Sequence, residues 1–148
     1  MTTKILIAFL GLTLITACSK DNFATKPTLK FKSINTTTLA KGDFLQIVLE
    51  VTDAEGDIQD SIWIQQVVRN CSASGFISKY KFPDFPQTKN LKGDIDICFA
   101  YGTNLGCPTI TGPKCTSRND SSVFKIWIKD KAKNVSDTLT TDEVVVLQ

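Results

Sequence analysis

The sequence predicts an all-β protein, an antiparallel two-layered sandwich of six to eight strands, on three observations. Beyond position 27 apolar residues recur with period two, the spacing that turns alternate side chains to one face of a pleated strand. No window carries a helical stripe at period 3.6. Gly, Pro, Asn and Asp punctuate the runs at the short intervals that separate the strands of a sandwich. A small closed barrel shares these signals and is the alternative architecture.

The elements follow in chain order. Lys4 precedes an apolar run from Ile5 to Ile15, the length of the hydrophobic part of an export signal and well short of the ~20 residues a helix needs to span a bilayer. Small residues then approach a thiol in Leu14-Ile15-Thr16-Ala17-Cys18. This stretch resembles the lipobox of Gram-negative bacterial lipoproteins. The resemblance implies cleavage after Ala17, a diacylglyceryl group on the Cys18 sulfur and a further fatty chain, such as palmitate, on its new amino group. Each buried CH₂ contributes ~0.8 kcal/mol, so three chains hold a protein to its membrane effectively permanently. Ser19-Lys20-Asp21 is similar to the tag that carries some of these lipoproteins to the outward face of the outer membrane, with Asn22 where a second acid would be better. The resemblance thus implies an outer-membrane protein facing outward, with the periplasmic-facing leaflet as the alternative. On this reading residues 1–17 are a signal peptide, 18–26 a lipidated tether and 27–148 the β-sandwich domain. Residues 19–26 carry no period and reach at most ~29 Å when extended, which keeps the folded part close to its bilayer.

Leu29 and Phe31 open the strand series. Leu45, Ile47, Leu49 and Val51 alternate with Gln46, Val48, Glu50 and Thr52, between a turn at 41–43 and an acidic turn at 53–57. Ser61 to Arg69 is rich in Ile, Val and Trp63. Asp94 to Tyr101 points Ile95, Ile97, Phe99 and Tyr101 inward and Asp94, Asp96 and Cys98 outward. Val123 to Asp130 sets Phe124, Ile126 and Ile128 against Lys125, Trp127 and Lys129, and Leu139 to Leu147 closes the chain. Valine, isoleucine, threonine and aromatic side chains suit such a surface. Trp63 and Trp127 fall on the opposite parity to the clearest apolar residues of their strands, although a tryptophan in a sandwich usually enters the core.

Strands of this number and spacing fit an immunoglobulin-like sandwich. Two turns add a resemblance. Val51-Thr52-Asp53-Ala54-Glu55-Gly56-Asp57-Ile58 resembles the acidic Gly-Asp turn after the second strand in immunoglobulin-like and cadherin-like modules of bacterial surface lipoproteins. Residues 130–137 are similar to the turn before their last strand, usually Asp-x-Ala-Gly-Asn-x-Ser. Lys133 replaces that glycine, so a turn requiring positive φ is expected to use Asn134.

Cys18 being taken by lipid, Cys71, Cys98, Cys107 and Cys115 remain, an even number in an exported chain and therefore two disulfides among three possible pairings. None forms the close pair that structural zinc favours. Cys107 with Cys115 would pin the long loop between them and leave Cys71 to meet Cys98; Cys98 with Cys107 would equally close a hairpin. The loop at 102–121 is a candidate contact region.

Asp53, Glu55, Asp57 and Asp60 gather four carboxylates around a glycine, the hard oxygen ligands that Ca²⁺ takes, with Asp130 or Asp137 available to complete the set. The spacing is not that of an EF-hand, and no other cofactor is expected. Tyr80, Phe82 and Phe85 lie among prolines, a composition that could present rings to a sugar or peptide or could protect an edge strand. Asp60-Ser61-Ile62 and Asp137-Thr138-Leu139 are similar to O-glycosylation acceptors of some Gram-negative surface proteins.

The chain has no histidine, which removes Ser-His and Cys-His catalysis together with histidine metal sites. Its net charge of +2 leaves no footprint for nucleic acid. The expectation is a non-catalytic, lipid-anchored module at the cell surface that binds or scaffolds a protein partner. The alternative is a glycan-binding accessory protein in nutrient capture that uses Tyr80, Phe82 and Phe85.

Overall fold

The computed structural model describes residues 23–148. The expected signal peptide, the expected lipidation site Cys18 and the start of the expected tether lie outside the described residues. Ten strands follow in order: β1 Thr28–Ile34, β2 Thr38–Leu39, β3 Phe44–Asp53, β4 Ser61–Val68, β5 Phe76–Tyr80, β6 Leu91–Tyr101, β7 Thr109–Ile110, β8 Asp120–Lys129, β9 Leu139–Thr140 and β10 Val144–Val146. One sheet has the order β1-β3-β6-β7; the other runs β2-β10-β8-β4-β5, with β9 paired to β8. The barrel is therefore ruled out in favour of two sheets. Taking β1, β3, β4, β5, β6, β8 and β10 as strands A, B, C, C′, E, F and G gives A-B-E facing G-F-C-C′, the immunoglobulin-like arrangement. Pairing is antiparallel except for the two-residue parallel contacts β2–β10 and β6–β7.

Alternation builds the core. Leu45, Ile47, Leu49 and Val51 of β3 and Ile97, Phe99 and Tyr101 of β6 face Ile62 and Ile64 of β4 and Phe124, Ile126 and Ile128 of β8, all buried. Phe99 and Phe124 stack across the layers with centroids 5.9 Å apart. Burial of each such side chain contributes about 1.5–3 kcal/mol. The intervening residues point outward, as the period requires.

Three local departures have physical causes. A bulge between Phe31 and Ser33 shifts the register of β1, and Phe31 stays 37% exposed. The last strand divides into β9 and β10 because the Thr141 hydroxyl accepts the Phe124 N–H, interrupting the regular ladder. The proline-rich segment 81–90 is not a strand; β5 ends at Tyr80, before the first proline.

Strand direction sorts the loops onto two poles. Residues 23–27, 54–60, 81–90 and 130–138 share the pole from which the tether leaves. Residues 35–43, 69–75 and 102–119 share the other. Both disulfides serve this distal pole: Cys98–Cys107, Cα atoms 5.6 Å apart, and Cys71–Cys115, 5.9 Å apart. The Cys107–Cys115 and Cys71–Cys98 pairing does not form. Past β6 the chain reverses through Gly102 and Gly106, both at positive φ, which returns Cys107 beside Cys98. Cys115 then reaches the turn after β4, in the opposite sheet.

A candidate cation site at the tether pole

Asp53 ends β3, Asp57 lies four residues along the turn, and Asp130 follows β8. Antiparallel strands of matched length bring these three to one place, where one oxygen from each lies within 4.8 Å of the others. Asp53 and Asp130 are fully buried, and Asp57 is 9% exposed. The Asp53 Oδ2 accepts the backbone N–H groups of Gly56 (2.6 Å) and Asp57 (3.1 Å), which folds the turn back over the carboxylate. Gly56 adopts a φ of +68°, and a Cβ there would meet the Thr88 carbonyl oxygen at 1.9 Å, so only glycine fits. Asp130 accepts the Asn134 N–H (2.7 Å) and side-chain amide (2.8 Å), and the Lys131 N–H donates to the Asp57 carbonyl (2.9 Å), joining the two loops.

Two oxygens of this trio have no partner among the described residues: Asp53 Oδ1 and Asp57 Oδ1 are both buried and accept no hydrogen bond there. Burial pushes the Asp53 carboxyl above its ordinary range; the donors on Asp57 and Gly56 oppose the push, and the charges of Asp57 and Glu55 add to it. Buried carboxylates with spare oxygens and no cationic side chain within the cluster suit a hard cation, since Ca²⁺ takes six to eight oxygens from carboxylates, carbonyls and water.

The other acids of the turn are placed differently. Glu55 accepts the Thr25 hydroxyl at 3.1 Å through Oε1 while its Oε2 is buried without a partner among the described residues, Asp60 pairs with Lys133 at 3.6 Å and Asp137 with Lys26 at 2.6 Å. They form the rim. Asn134 is not the residue at positive φ; Lys133 is, at +77°. The Asn134 side chain is instead committed to Asp130.

Tyr80, Phe82 and Phe85 come together, but facing inward. Phe82 is 9% exposed and belongs to the core, while Tyr80 and Phe85 are half-buried against it. All three line a groove of about 470 Å³ between the sheets rather than an open platform. Trp63 and Trp127 instead face outward, directly opposite each other on β4 and β8, stacked at 6.0 Å with the Lys79 ammonium 5.6 Å from the Trp63 ring. Their parity was the signal for this, against the usual preference of tryptophan for the core. Ser61 is buried in β4 and unavailable for modification, whereas Thr138 is exposed.

Neither a protein-family model nor a curated protein matches the sequence. Among solved structures the chain is similar to the sporulation control protein Spo0M of Bacillus subtilis, at 10% identity and a TM-score of 0.45, covering 83% of this chain and 50% of that one. It is also similar to part of a β-glucosidase of Listeria innocua solved with gluconolactone, at 14% identity and a TM-score of 0.40, over 83% of this chain and 16% of that one. A third similarity is to the CARDB domain of a Pyrococcus furiosus protein in complex with di-metal ions, at 10% identity and a TM-score of 0.29, over 82% and 86%. The chain thus spans half or less of the first two proteins.

Proposed function

We propose that this immunoglobulin-like sandwich is a non-catalytic binding module, held at the outer membrane by lipid on Cys18 and stiffened by a divalent cation, most simply Ca²⁺, at Asp53, Asp57 and Asp130. The observation that carries the reading is the stitching of the tether to the acidic pole. The Ala54 N–H donates to the Ala24 carbonyl (3.0 Å), Thr25 meets Glu55 and Lys26 meets Asp137. A cation beneath these contacts would fix the angle at which the domain leaves its anchor. The disulfide-pinned loops at 102–119 then point away from the bilayer, toward a partner.

The experiment is metabolic labelling with a fatty-acid analogue and fractionation of membranes, for the native chain and Cys18→Ser. The reading expects label and outer-membrane recovery for the native chain and loss of both for the variant. Unlabelled native protein in a soluble fraction would remove the anchor from the proposal.

A second reading, glycan binding, moves from Tyr80, Phe82 and Phe85 to the half-buried Trp63–Trp127 pair, which is set among polar side chains including Gln65 and Lys125. Stacked indole faces suit the apolar faces of sugar rings. Retention on insoluble polysaccharide, lost in Trp127→Ala, tests it; no retention of the native chain ends it.

A further inference from the structure

The immunoglobulin arrangement places a strand D beyond E, and here that position is open. Among the described residues, β6 pairs on its second side only at Ala100 and Tyr101, with β7, and the Cys98–Cys107 bridge holds Cys107 and Pro108 beside the adjoining positions, which leaves the stretch before Cys98 open. The direction of the unpaired groups follows from the strand itself. The Ala100 N–H goes to Pro108, on the β7 side, and the Tyr101 N–H to Asp43, on the β3 side. Alternation then turns the N–H and C=O of Asp94 and Asp96 toward the vacant side, while those of Cys98 face the strap at Cys107.

The inter-sheet groove borders this same edge. Seven consecutive residues, Gly93 to Phe99, line it, whereas a wall made by one strand face would contribute only alternate residues. The backbone edge itself therefore faces the groove. The inward positions are apolar or empty: Ile95 and Ile97 point into the groove, and a Cβ built on Gly93 would meet nothing within 4 Å. Across the opening lie Tyr80, Phe82 and Phe85, on β5 and the segment after it.

We infer that the β6 edge and its apolar groove receive an extended peptide segment of a partner protein, added as the missing strand. The chemistry selects this occupant. A row of alternating donors and acceptors is satisfied by another strand and not by an acyl chain, and an apolar groove beside it takes every second side chain of a strand, which a sugar does not have. Charge specifies the rest. Asp94, which pairs with Lys32 at 2.7 Å, and Asp96, which accepts the Gln46 side-chain amide at 3.3 Å, are exposed on the outer face at the vacant side, so an added strand would place its other side chains opposite these two carboxylates and compete with Lys32 for Asp94. The segment is therefore apolar at one parity and basic at the other. This proposal goes beyond the anchored, cation-stiffened module and stands whether or not Cys18 is acylated or a cation binds.

The test is residue-resolved hydrogen exchange on the full-length chain in detergent, with a nine-residue peptide of alternating lysine and valine as probe. In the free protein the amides of Asp94 and Asp96 should exchange at least ~100-fold faster than those of Ile95 and Ile97, whose N–H groups are paired with β3. Millimolar peptide should slow these two at least tenfold, and a glutamate–valine peptide should not. Asp94→Pro removes an outward N–H at an edge position that tolerates proline, and should abolish the protection. If that variant does not fold, Asp94→Lys with Asp96→Lys should exchange the preference toward the glutamate peptide. Free-state protection of the Asp94 and Asp96 amides equal to that of Ile95, a concentration-dependent dimer protecting the same amides, or no effect of the lysine–valine peptide would each overturn the inference.

Discussion

Ala54 donates its backbone N–H to the carbonyl of Ala24 at 3.0 Å, so the residue next to the buried Asp53 also grips the segment that precedes β1. The acidic cluster and residues 23–26 are thereby mechanically joined. Loosening the turn at 53–57 should release residues 23–26, and ordering it should fix them. The predictions below separate the contributions to that joint.

Gly56→Ala should destabilise the domain by at least ~2 kcal/mol, because the backbone sits at positive φ and the new Cβ would overlap the Thr88 carbonyl. Lys133→Gly should act oppositely and raise stability by about 1 kcal/mol, since it relieves a lysine held at a φ of +77°. Urea unfolding at neutral pH measures both. A destabilised Lys133→Gly would mean that the pair with Asp60 outweighs the backbone term.

The Asp53 carboxyl, raised by burial, gives a pH signature in metal-free protein. The folded state holds this proton more tightly than the unfolded chain. The resulting stabilisation is complete below the ordinary carboxylate pKa and is lost as pH rises through the raised value. Asp53→Asn keeps the acceptor for Gly56 and Asp57 but cannot ionise. Relative to that variant, native protein in chelator should therefore lose stability as pH rises above the ordinary carboxylate range. Denaturation midpoints across this rise decide; a difference independent of pH would contradict the raised value.

Removing Cys71–Cys115, which closes a separation of 44 residues, should cost about 4.0 kcal/mol on the chain-entropy estimate, and removing Cys98–Cys107, which closes 9, about 2.6 kcal/mol. Paired Cys→Ser variants compared in urea give the order. Non-reducing peptide mapping should recover these two bridges and no Cys107–Cys115 peptide.

Much of the sandwich is legible in the sequence because β3, β6 and β8 each have one wet and one dry face, and the contrast writes the period directly: Ile126 against Lys125, Ile97 against Asp96. β2, β7 and β9 are two residues long and carry no period at all. Disulfide connectivity is not readable from spacing because it depends on which pole each loop reaches, and Cys115 crosses to the other sheet. The acidic turn announces its carboxylates but not their directions. Asp53 and Asp57 turn inward through backbone hydrogen bonds to the Asp53 side chain, while Glu55 and Asp60 are drawn to the rim by Thr25 and Lys133. The aromatic segment at 80–85 reads as exposed because of its prolines, yet the gap between the sheets admits Phe82 to the core. The open side of β6 leaves no trace in the sequence, since an unpaired edge carries the same residues as a paired one.

Titration calorimetry of Ca²⁺ into chelator-treated protein, native and Asp130→Asn, tests the cation site most directly. Saturable binding at one site is predicted for the native chain, with the stability gained reaching about 2.7 kcal/mol at a hundredfold excess over Kd, and loss of both in the variant. No heat of binding and an unchanged thermal midpoint at millimolar Ca²⁺ would contradict it.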